Sequence, residues 1–515
     1  MSRFKARERL LAIVILVLTL QPSWSPVGAA NILAVQTVPG LSHWNVMRSV
    51  LRPLIEHGHN VTAFTPFVDG DRDNYVEVDM SDVMRVHINE NVTYVRGKVS
   101  TTATFMAILI NITRSYCDVI HEHPRMTEIL TAALPSEFDL LITQPVASKC
   151  VAYVATVLRI PLVYVVVPAV FTDLERSISG QFPNPATFGH TLFPRAIPKT
   201  FLDRLSNTVL TVYCSFLLRY NEWWQKVSDP RPYDDVDLIK PSITFTNAHY
   251  ITDFSRPLTP DVISIGGIHL TPPKELPKDI LEFIEDSPHG VIYFTFGSIM
   301  MISSLPVNVQ KAFMDVFRKI PQRVLWKSNK EIEDLPPNVM VNKSFPQRDI
   351  LLHPNVKLFI CHGSISGVYE AVDAGVPVLG FPIVYDQPIN MKNLVDAGMA
   401  ISVNMFSITN DTLLTAITEL VNNESYRNNA KVASKRFKDR PVSPAESVVY
   451  WTEYVLRHNG APHLKSPAIN LIWYQYFLLD VIGTLLVVAF VVWITIQYIC
   501  QLIFLSFCRG KEKRE

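Results

Sequence analysis

The chain has 515 residues, too many for one ordinary hydrophobic core and enough for two or three domains. Lysine plus arginine is 47 and aspartate plus glutamate is 47, so the formal net charge is zero and the basic surplus of a nucleic-acid binder is missing. With 48% apolar and 18% charged residues, the chain is too apolar for extended disorder, and some of that apolar sequence must lie outside a water-facing fold.

The first element is a targeting segment. Arg3, Lys5, Arg7 and Arg9 precede the apolar run 10–20, and Gly28-Ala29-Ala30 offers a small-residue cleavage site, so 1–30 is expected to be a secretory signal peptide. Residues 32–37 read as a strand. Residues 46–56 have helical spacing, with Val46, Val50, Leu51, Leu54 and Ile55 on one face. Gly58 closes that helix and 61–67 is the next strand. The strand 138–143, the helix 147–158 and the strand 162–167 continue the series, and such alternation builds a parallel sheet covered on both faces. The alternation stops near Phe171. An amphipathic stretch, 201–227, follows with Trp223 and Trp224 in it. Ordinary packing is the simplest expectation for it; lining a pocket or touching a membrane are the alternatives. A strand over 262–268 ends at Gly266-Gly267, and Pro272, Pro273 and Pro277 mark a linker.

A second series starts at Gly290. The strand 291–296 runs into Gly297-Ser298, then come the helix 307–318, the strand 324–327, the strand 357–361 into His362-Gly363, the helix 367–374 and the strand 376–380. The body is therefore expected to be two doubly wound α/β domains, 31–266 and 267–460, with a last helix able to cross back to the first. Ligands in such sheets bind beyond the carboxyl ends of the strands, so the two domains would face each other across a cleft. The run 481–508 has no charged side chain and exceeds the ~20 residues a membrane span needs. Arg509, Lys511, Lys513 and Arg514 follow it, and positive flanks stay in the cytosol. A transmembrane helix over 477–508, a cytosolic tail over 509–515 and a luminal or extracellular body are expected. Lys511 and Lys513 resemble a dilysine endoplasmic-reticulum retrieval signal, with plain stop-transfer charge the alternative. Sequons at Asn91, Asn111, Asn410 and Asn423 suit a luminal body, whereas Asn60 falls in what reads as a buried strand.

Six cysteines, with no CxxC pair and no Cys/His cluster at zinc spacing, exclude a disulfide-dense scaffold and argue against structural zinc. The acidic pairs Asp69/Asp71, Asp71/Asp73 and Asp235/Asp237 sit in polar loops of the first half and read as solvated charge rather than as a metal site.

The densest chemical signal is 344–354 (SFPQRDILLHP) followed by 361–370 (CHGSISGVYE), 375–377 (GVP) and 382–387 (PIVYDQ). His362 and Gly363 sit at a strand-to-helix turn. The backbone N–H groups of Ser364, Ile365, Ser366 and Gly367 then point out of a helix N-terminus, a ready site for an anion such as a diphosphate. Glu370, one turn in, is placed to accept from ribose hydroxyls, and Asp386 and Gln387 to hold sugar hydroxyls. This set resembles the signature of UDP-glycosyltransferases, especially insect membrane-bound members and their baculoviral relatives. Residues 266–269 (GGIH), 290–298 (GVIYFTFGS) and 42–44 (SHW) extend the resemblance over about 31–460. It implies a GT-B fold of two Rossmann-like domains plus one C-terminal transmembrane helix, with the acceptor on the first domain and the UDP-sugar on the second. It also implies an inverting transfer in which the UDP-sugar is a co-substrate and no cofactor or metal is needed. The partners it implies are a UDP-sugar, a small lipophilic acceptor and a membrane; a homo-oligomer is left open. His43 is then the candidate base, and Ser298, Ser344, Gln347, His362, Gly363, Ser364, Ser366, Gly367, Glu370, Asp386 and Gln387 are the candidate donor-site residues.

Three positions depart from the family pattern. Gln144 stands where vertebrate members have an aspartate paired with the histidine, and in a serine-protease triad the carboxylate-to-amide change costs about 10⁴ in rate. Ser344 stands where a tryptophan usually stacks on uracil, with Phe345 expected to point elsewhere. Ser364 replaces a glycine and is expected to add a donor at the helix start. These departures support a rival reading, a glycosyltransferase-like binding or scaffold protein with weak or no catalysis.

Overall fold

The fold is that of a computed structural model, which describes residues 28–512 except 87–90, 92–96, 98–101, 133–134, 147–148, 168–171, 194–196, 254, 298–303 and 329–331. The expected signal peptide, apart from 28–30, lies outside the described residues, as do Phe171, Ser298 and the last three residues.

Two parallel sheets carry the body. The first contains β1 (Asn31–Val35), β2 (Asn60–Thr65), β3 (Tyr75–Asp79), β4 (Leu140–Thr143), β5 (Leu162–Val166), β6 (Ile243–Thr246) and β7 (Val262–Ser264), in the order β3-β2-β1-β4-β5-β6-β7. The second contains β8 (Val291–Phe294), β9 (Arg323–Lys327), β10 (Val339–Asn342), β11 (Val356–Cys361), β12 (Val378–Gly380) and β13 (Ala400–Ser402), in the order β10-β9-β8-β11-β12-β13. The central strands are continuous apolar runs because both sheet faces are covered. In β1, Ile32 and Ala34 enter one core and Leu33 and Val35 the core on the opposite face. Strand order reverses between β1 and β4 and again between β8 and β11, which opens a crevice at each switch point.

The first half carries α1 (Leu41–Glu56), α2 (Thr102–Glu122), α3 (Pro124–Thr131), α4 (Lys149–Leu158), α5 (Thr172–Ser179) and α6 (Phe201–Ser228). The second carries α7 (Lys278–Glu285), α8 (Val307–Phe317), α9 (Gln347–Leu352), α10 (Ile365–Ala374), α11 (Gln387–Asp396), α12 (Asn410–Asn422) and α13 (Glu424–Lys438). Next, α14 (Pro444–Arg457) starts in a Ser443/Glu446 capping box, packs on α1 and sinks Val448, Val449 and Val455 into the core of the first sheet. A short α15 (Trp473–Tyr476) leads to α16 (Leu479–Glu512), whose stretch Leu479–Leu505 is long and apolar enough to cross a membrane.

Several expectations need correction. Helix α1 begins at Leu41 rather than at 46, because Trp44 is fully buried and draws the polar residues around it into the first turn. Alternation does not end near 171, since β6 and β7 extend the first sheet beyond α6. The strand expected over 262–268 is the short β7, and the chain turns at 265–268. Asn60 is exposed at the start of β2, so burial does not remove its sequon. Most important, α6 turns its apolar side outward: Leu202, Val209, Val212 and Phe216 are each 60–70% exposed, so ordinary packing fails as a description.

The halves meet through tight polar packing. The Tyr369 hydroxyl, on α10, donates to the Asn247 carbonyl at 3.0 Å and accepts from the Thr252 hydroxyl at 2.8 Å. Gly266 makes this approach possible, because a Cβ there would stand 2.5 Å from both the Tyr369 hydroxyl and the Ala248 carbonyl oxygen. His269 contacts the Ser366 carbonyl through Nε2 at 3.1 Å.

One covalent tie was not legible in the spacing: Cys117 of α2 is bonded to Cys150 of α4 across 33 residues. Replacing both by serine should lower the unfolding free energy of the first half by about 2–4 kcal/mol, measured by denaturant titration of the detergent-solubilised chain.

Candidate active site

The crevice between β1 and β4 holds the first group. Gln144 leaves the end of β4, buried to 2% exposure, and His43 lies on the first turn of α1. His43 Nδ1 and Gln144 Oε1 are 2.8 Å apart. The orientation of the amide is fixed from its other side. Gln144 Nε2 donates to Gln36 Oε1 at 3.2 Å and to the His43 carbonyl at 3.3 Å, and Gln36 Nε2 donates in turn to the Val38 carbonyl. An amide oxygen only accepts, so Nδ1 must carry the ring proton and Nε2 keeps its lone pair. Burial lowers the His43 pKa, against a smaller upward pull from Gln144, so the ring is neutral near pH 7. The result is an oriented, uncharged imidazole with Nε2 unprotonated.

The crevice between β8 and β11 holds the second group. β11 ends at Cys361, and His362-Gly363-Ser364 turns the chain into α10. Gly363 has φ +84°, and a Cβ there would strike Met391 at 2.6 Å, so only glycine fits this turn. Ser364 is the N-cap residue of α10 and its side chain makes no capping bond to the helix. The first N–H groups of α10 have no intrahelical acceptor. Beside them, His362 Nδ1 and the Ser366 hydroxyl are buried without a hydrogen-bond partner. Burial, and then the charge of Lys327, push the His362 pKa down to about 4, so this ring is neutral too. Two orphaned polar groups at a helix N-terminus suit an oxyanion such as a diphosphate.

The remaining candidates frame that terminus. Gly367 sits in the first turn of α10, close beside the Gln347 amide. Gln347 opens α9 and donates to Glu370 of α10. Burial raises the Glu370 pKa from 4.5 to about 7, and the Gln347 bond partly offsets this. Ser344 is exposed in the loop before α9, whereas Phe345 points away into the core, edge-on to Tyr293 at 6.0 Å. Asp386 precedes α11; its carboxylate accepts from Asn390 at 2.7 Å, and burial raises its pKa. Gln387 is buried, and its side-chain oxygen accepts the backbone N–H groups of Ile383 and Val384 at 2.9 and 3.1 Å. That oxygen holds the turn instead of facing a ligand. The two groups occupy different halves, and among the described residues no hydrogen bond joins His43 to the second group. The acidic pairs of the first half lie apart from both: Asp69 pairs with Arg48 and Asp235 with Lys226.

Three residues on these rims escaped the sequence reading. Gln36 has no motif, and only its place directly after β1 could have drawn attention to it. Lys327 ends β9 and its charge acts on His362. Tyr385, just before Asp386, adopts φ +59° while exposing its ring, a strained arrangement that functional loops retain.

Comparison with known proteins gives the same picture from an independent direction. A family model described as "UDP-glucoronosyl and UDP-glucosyl transferase" matches residues 31–515. UDP-glucosyltransferase 2 of Dactylopius coccus is 36% identical over 92% of this chain and 93% of its own length. UDP-glucuronosyltransferase 2B17 of Rattus norvegicus is 32% identical, with coverages of 92% and 93%. Among solved structures, the glycotransferase of kitacinnamycin superposes with a TM-score of 0.55 at 16% identity, covering 83% of this chain and 99% of that one. The spinosyn rhamnosyltransferase SpnG, complexed with thymidine diphosphate, gives 0.55 at 15% identity, covering 82% and 100%. These likenesses are to GT-B glycosyltransferases, and they establish the fold.

Glu370 generates a pH prediction. The folded chain retains a proton that the unfolded chain releases above its ordinary value of 4.5, so the stabilisation is complete below that pH and is lost as pH climbs through about 7. Between about pH 5 and 8 the native chain should lose roughly 1–3 kcal/mol of stability, the low end reflecting partial exposure of the carboxylate, while Glu370→Gln should not. Chemical denaturation across that range checks it.

Proposed function

The chain belongs to the UDP-glucuronosyl and UDP-glucosyl transferase family, and we propose that it moves a sugar, glucose in the first instance, from a UDP-sugar to a hydroxyl of a small lipophilic acceptor. The observation that carries this reading is the His43–Gln144–Gln36 chain, which leaves His43 Nε2 as a free acceptor at the β1/β4 switch point. In the proposed reaction the acceptor hydroxyl gives its proton to Nε2 while its oxygen bonds to the anomeric carbon. The bond from that carbon to the UDP oxygen breaks on the opposite face, so configuration inverts and UDP leaves with the electron pair.

The N-terminus of α10, with His362 and Ser366 beside it, would take up the charge developing on the diphosphate. This assigns the leaving-group stabilisation to protein dipoles, so the reading calls for no metal. Glu370 is placed for the ribose hydroxyls, Ser344 and Gln347 for the base edge, and Asp386 for the sugar. Thymidine diphosphate in the related rhamnosyltransferase supports a nucleoside-diphosphate sugar as donor.

The reading extends to location. Leu479–Leu505 would cross the bilayer, with Arg509 and Lys511 on the cytosolic side. The Cys117–Cys150 disulfide supports a body in an oxidising compartment, which agrees with a lumen on the other side.

Titration of the full chain with UDP-glucose tests donor binding directly; no binding at millimolar concentration would refute the assignment. His43→Ala should reduce turnover by roughly 10²–10⁴ with UDP affinity unchanged, because base and nucleotide belong to different halves. Gln144→Asp should raise turnover and leave UDP affinity alone, by placing a carboxylate on the imidazolium that forms. Ser344→Trp should tighten UDP binding by roughly five- to tenfold through restored stacking on the base, read from the same titration.

A further inference from the structure

Helix α6 is built inside out. Its buried positions are Asn207, Thr211 and Cys214, two of them polar. Asn207 fastens the helix to the segment before it. Its Nδ2 donates to the carbonyls of Pro185 and Phe188 at 2.8 and 2.7 Å, and its Oδ1 accepts from the His190 N–H at 2.8 Å. The opposite side exposes Leu202, Leu205, Val209, Val212, Phe216 and Tyr220, continuing to Trp223 and Val227. Steps of three and four residues keep these on one side of the cylinder, a stripe roughly 40 Å long. A helix facing water has the reverse pattern, and soluble monomers rarely leave so large an apolar patch uncovered.

Three observations say what covers it. The first is continuity with the membrane entry. α5 packs against both α6 and the turn Pro467–Asn470. Arg176 on α5 donates to the Leu471 carbonyl at 2.8 Å and lies over the Tyr476 ring at 4.6 Å. Phe182 meets Phe477 edge-on at 5.4 Å. Two residues later α16 begins, apolar and unburied through Leu505. The stripe is thus one short helix away from the point where the chain would enter a bilayer. The second is composition: Tyr213, Tyr220, Trp223 and Trp224 are the ring types that favour the headgroup boundary, apolar with a polar tip. The third is charge. The helix carries Arg204, Arg219 and Lys226 against Asp203 and Glu222, and Lys226 and Glu222 are paired with Asp235 and Lys149. No strong field remains for a charged protein partner to read.

We propose that α6 lies in the headgroup–acyl boundary of the same bilayer that α16 crosses, as a second, in-plane attachment of the body. The proposal rests on the membrane-anchored reading above. It also places lipid beside the acceptor half of the cleft. α6 packs on α2, and its Glu222 pairs with Lys149 at the start of α4, the helix that follows Gln144. A lipophilic acceptor dissolved in the bilayer would then reach the site without crossing bulk water.

The test uses the full chain reconstituted in phosphatidylcholine vesicles that contain a diazirine-bearing phosphatidylcholine, with photolysis, digestion and mass spectrometry. Lipid adducts are expected on peptides from 201–227 as well as from 479–505. In the variant Val209→Glu/Val212→Glu/Phe216→Glu, whose positions are exposed, adducts on 201–227 should fall to background while those on 479–505 persist. Adducts confined to 479–505 in the native chain overturn the proposal and leave the anchor intact. Adducts on neither segment remove the anchor and the proposal together.

Discussion

The close packing of Tyr369 against Asn247, Thr252 and Gly266 is the constraint that joins the two halves. His43 and the N-terminus of α10 belong to different halves, so the proposed reaction requires the halves to be held in one register. Tyr369 lies on α10, the helix whose N-terminus forms the anion site. Its buried hydroxyl is both a donor and an acceptor to the first half, and an unpartnered hydroxyl there would cost about 1–3 kcal/mol. The register between the halves is therefore fixed through the same helix that presents the charge-binding end. Within the second half, His269 braces the same helix at the Ser366 carbonyl, one turn closer to that end. α14, packed against α1, adds a strap from the opposite direction and ends near the helix that carries His43.

Burial shifts the titratable groups on both sides in the sense the proposed reaction would need. Two imidazoles, His43 and His362, are driven toward neutrality by loss of water. The first must be neutral to take a proton. The second, uncharged, can donate one hydrogen bond to an oxyanion without repelling the orphaned N–H groups beside it. Glu370 and Asp386 are pushed the other way, toward the protonated form, so sugar hydroxyls donating to either would favour its ionised state. If the donor binds as proposed, its binding and carboxylate ionisation would be coupled on this rim.

The sequence told most where one physical pattern dominated. β1, β4, β5, β8 and β11 are mostly apolar, broken only by single residues such as Asn31, Thr143 and Lys357, because both faces of their sheets are covered, and each was legible. β3 and β10 are short strands at sheet edges, YVEVD and VMVN, and do not stand out from the loops around them. The motif at 361–370 located the strand-to-helix turn, because a strand ending in His-Gly before a helix leaves few alternatives. Gln36 could not be found that way: its role comes from a contact with Gln144 across 108 positions. Nor could the periodicity of α6 reveal its orientation. An apolar stripe looks the same whether it faces a core or a solvent, and only Asn207, reaching back to Pro185 and Phe188, shows which side is inward.

The amide at Gln144 weighs less against catalysis than its chemistry first suggests. The rate loss of about 10⁴ for the carboxylate-to-amide change in a serine-protease triad arises because the amide selects the wrong imidazole tautomer. That happens when an N–H of the amide faces the ring nitrogen that should be protonated. Here both amide hydrogens are committed elsewhere, to Gln36 and to the His43 carbonyl, and the oxygen faces Nδ1. The productive tautomer is the one this geometry selects. What the amide cannot do is stabilise the imidazolium by charge, and a buried ring feels that lack most. In the reaction proposed above, charge would also develop on the departing diphosphate, which that reading places at the terminus of α10 rather than beside the ring.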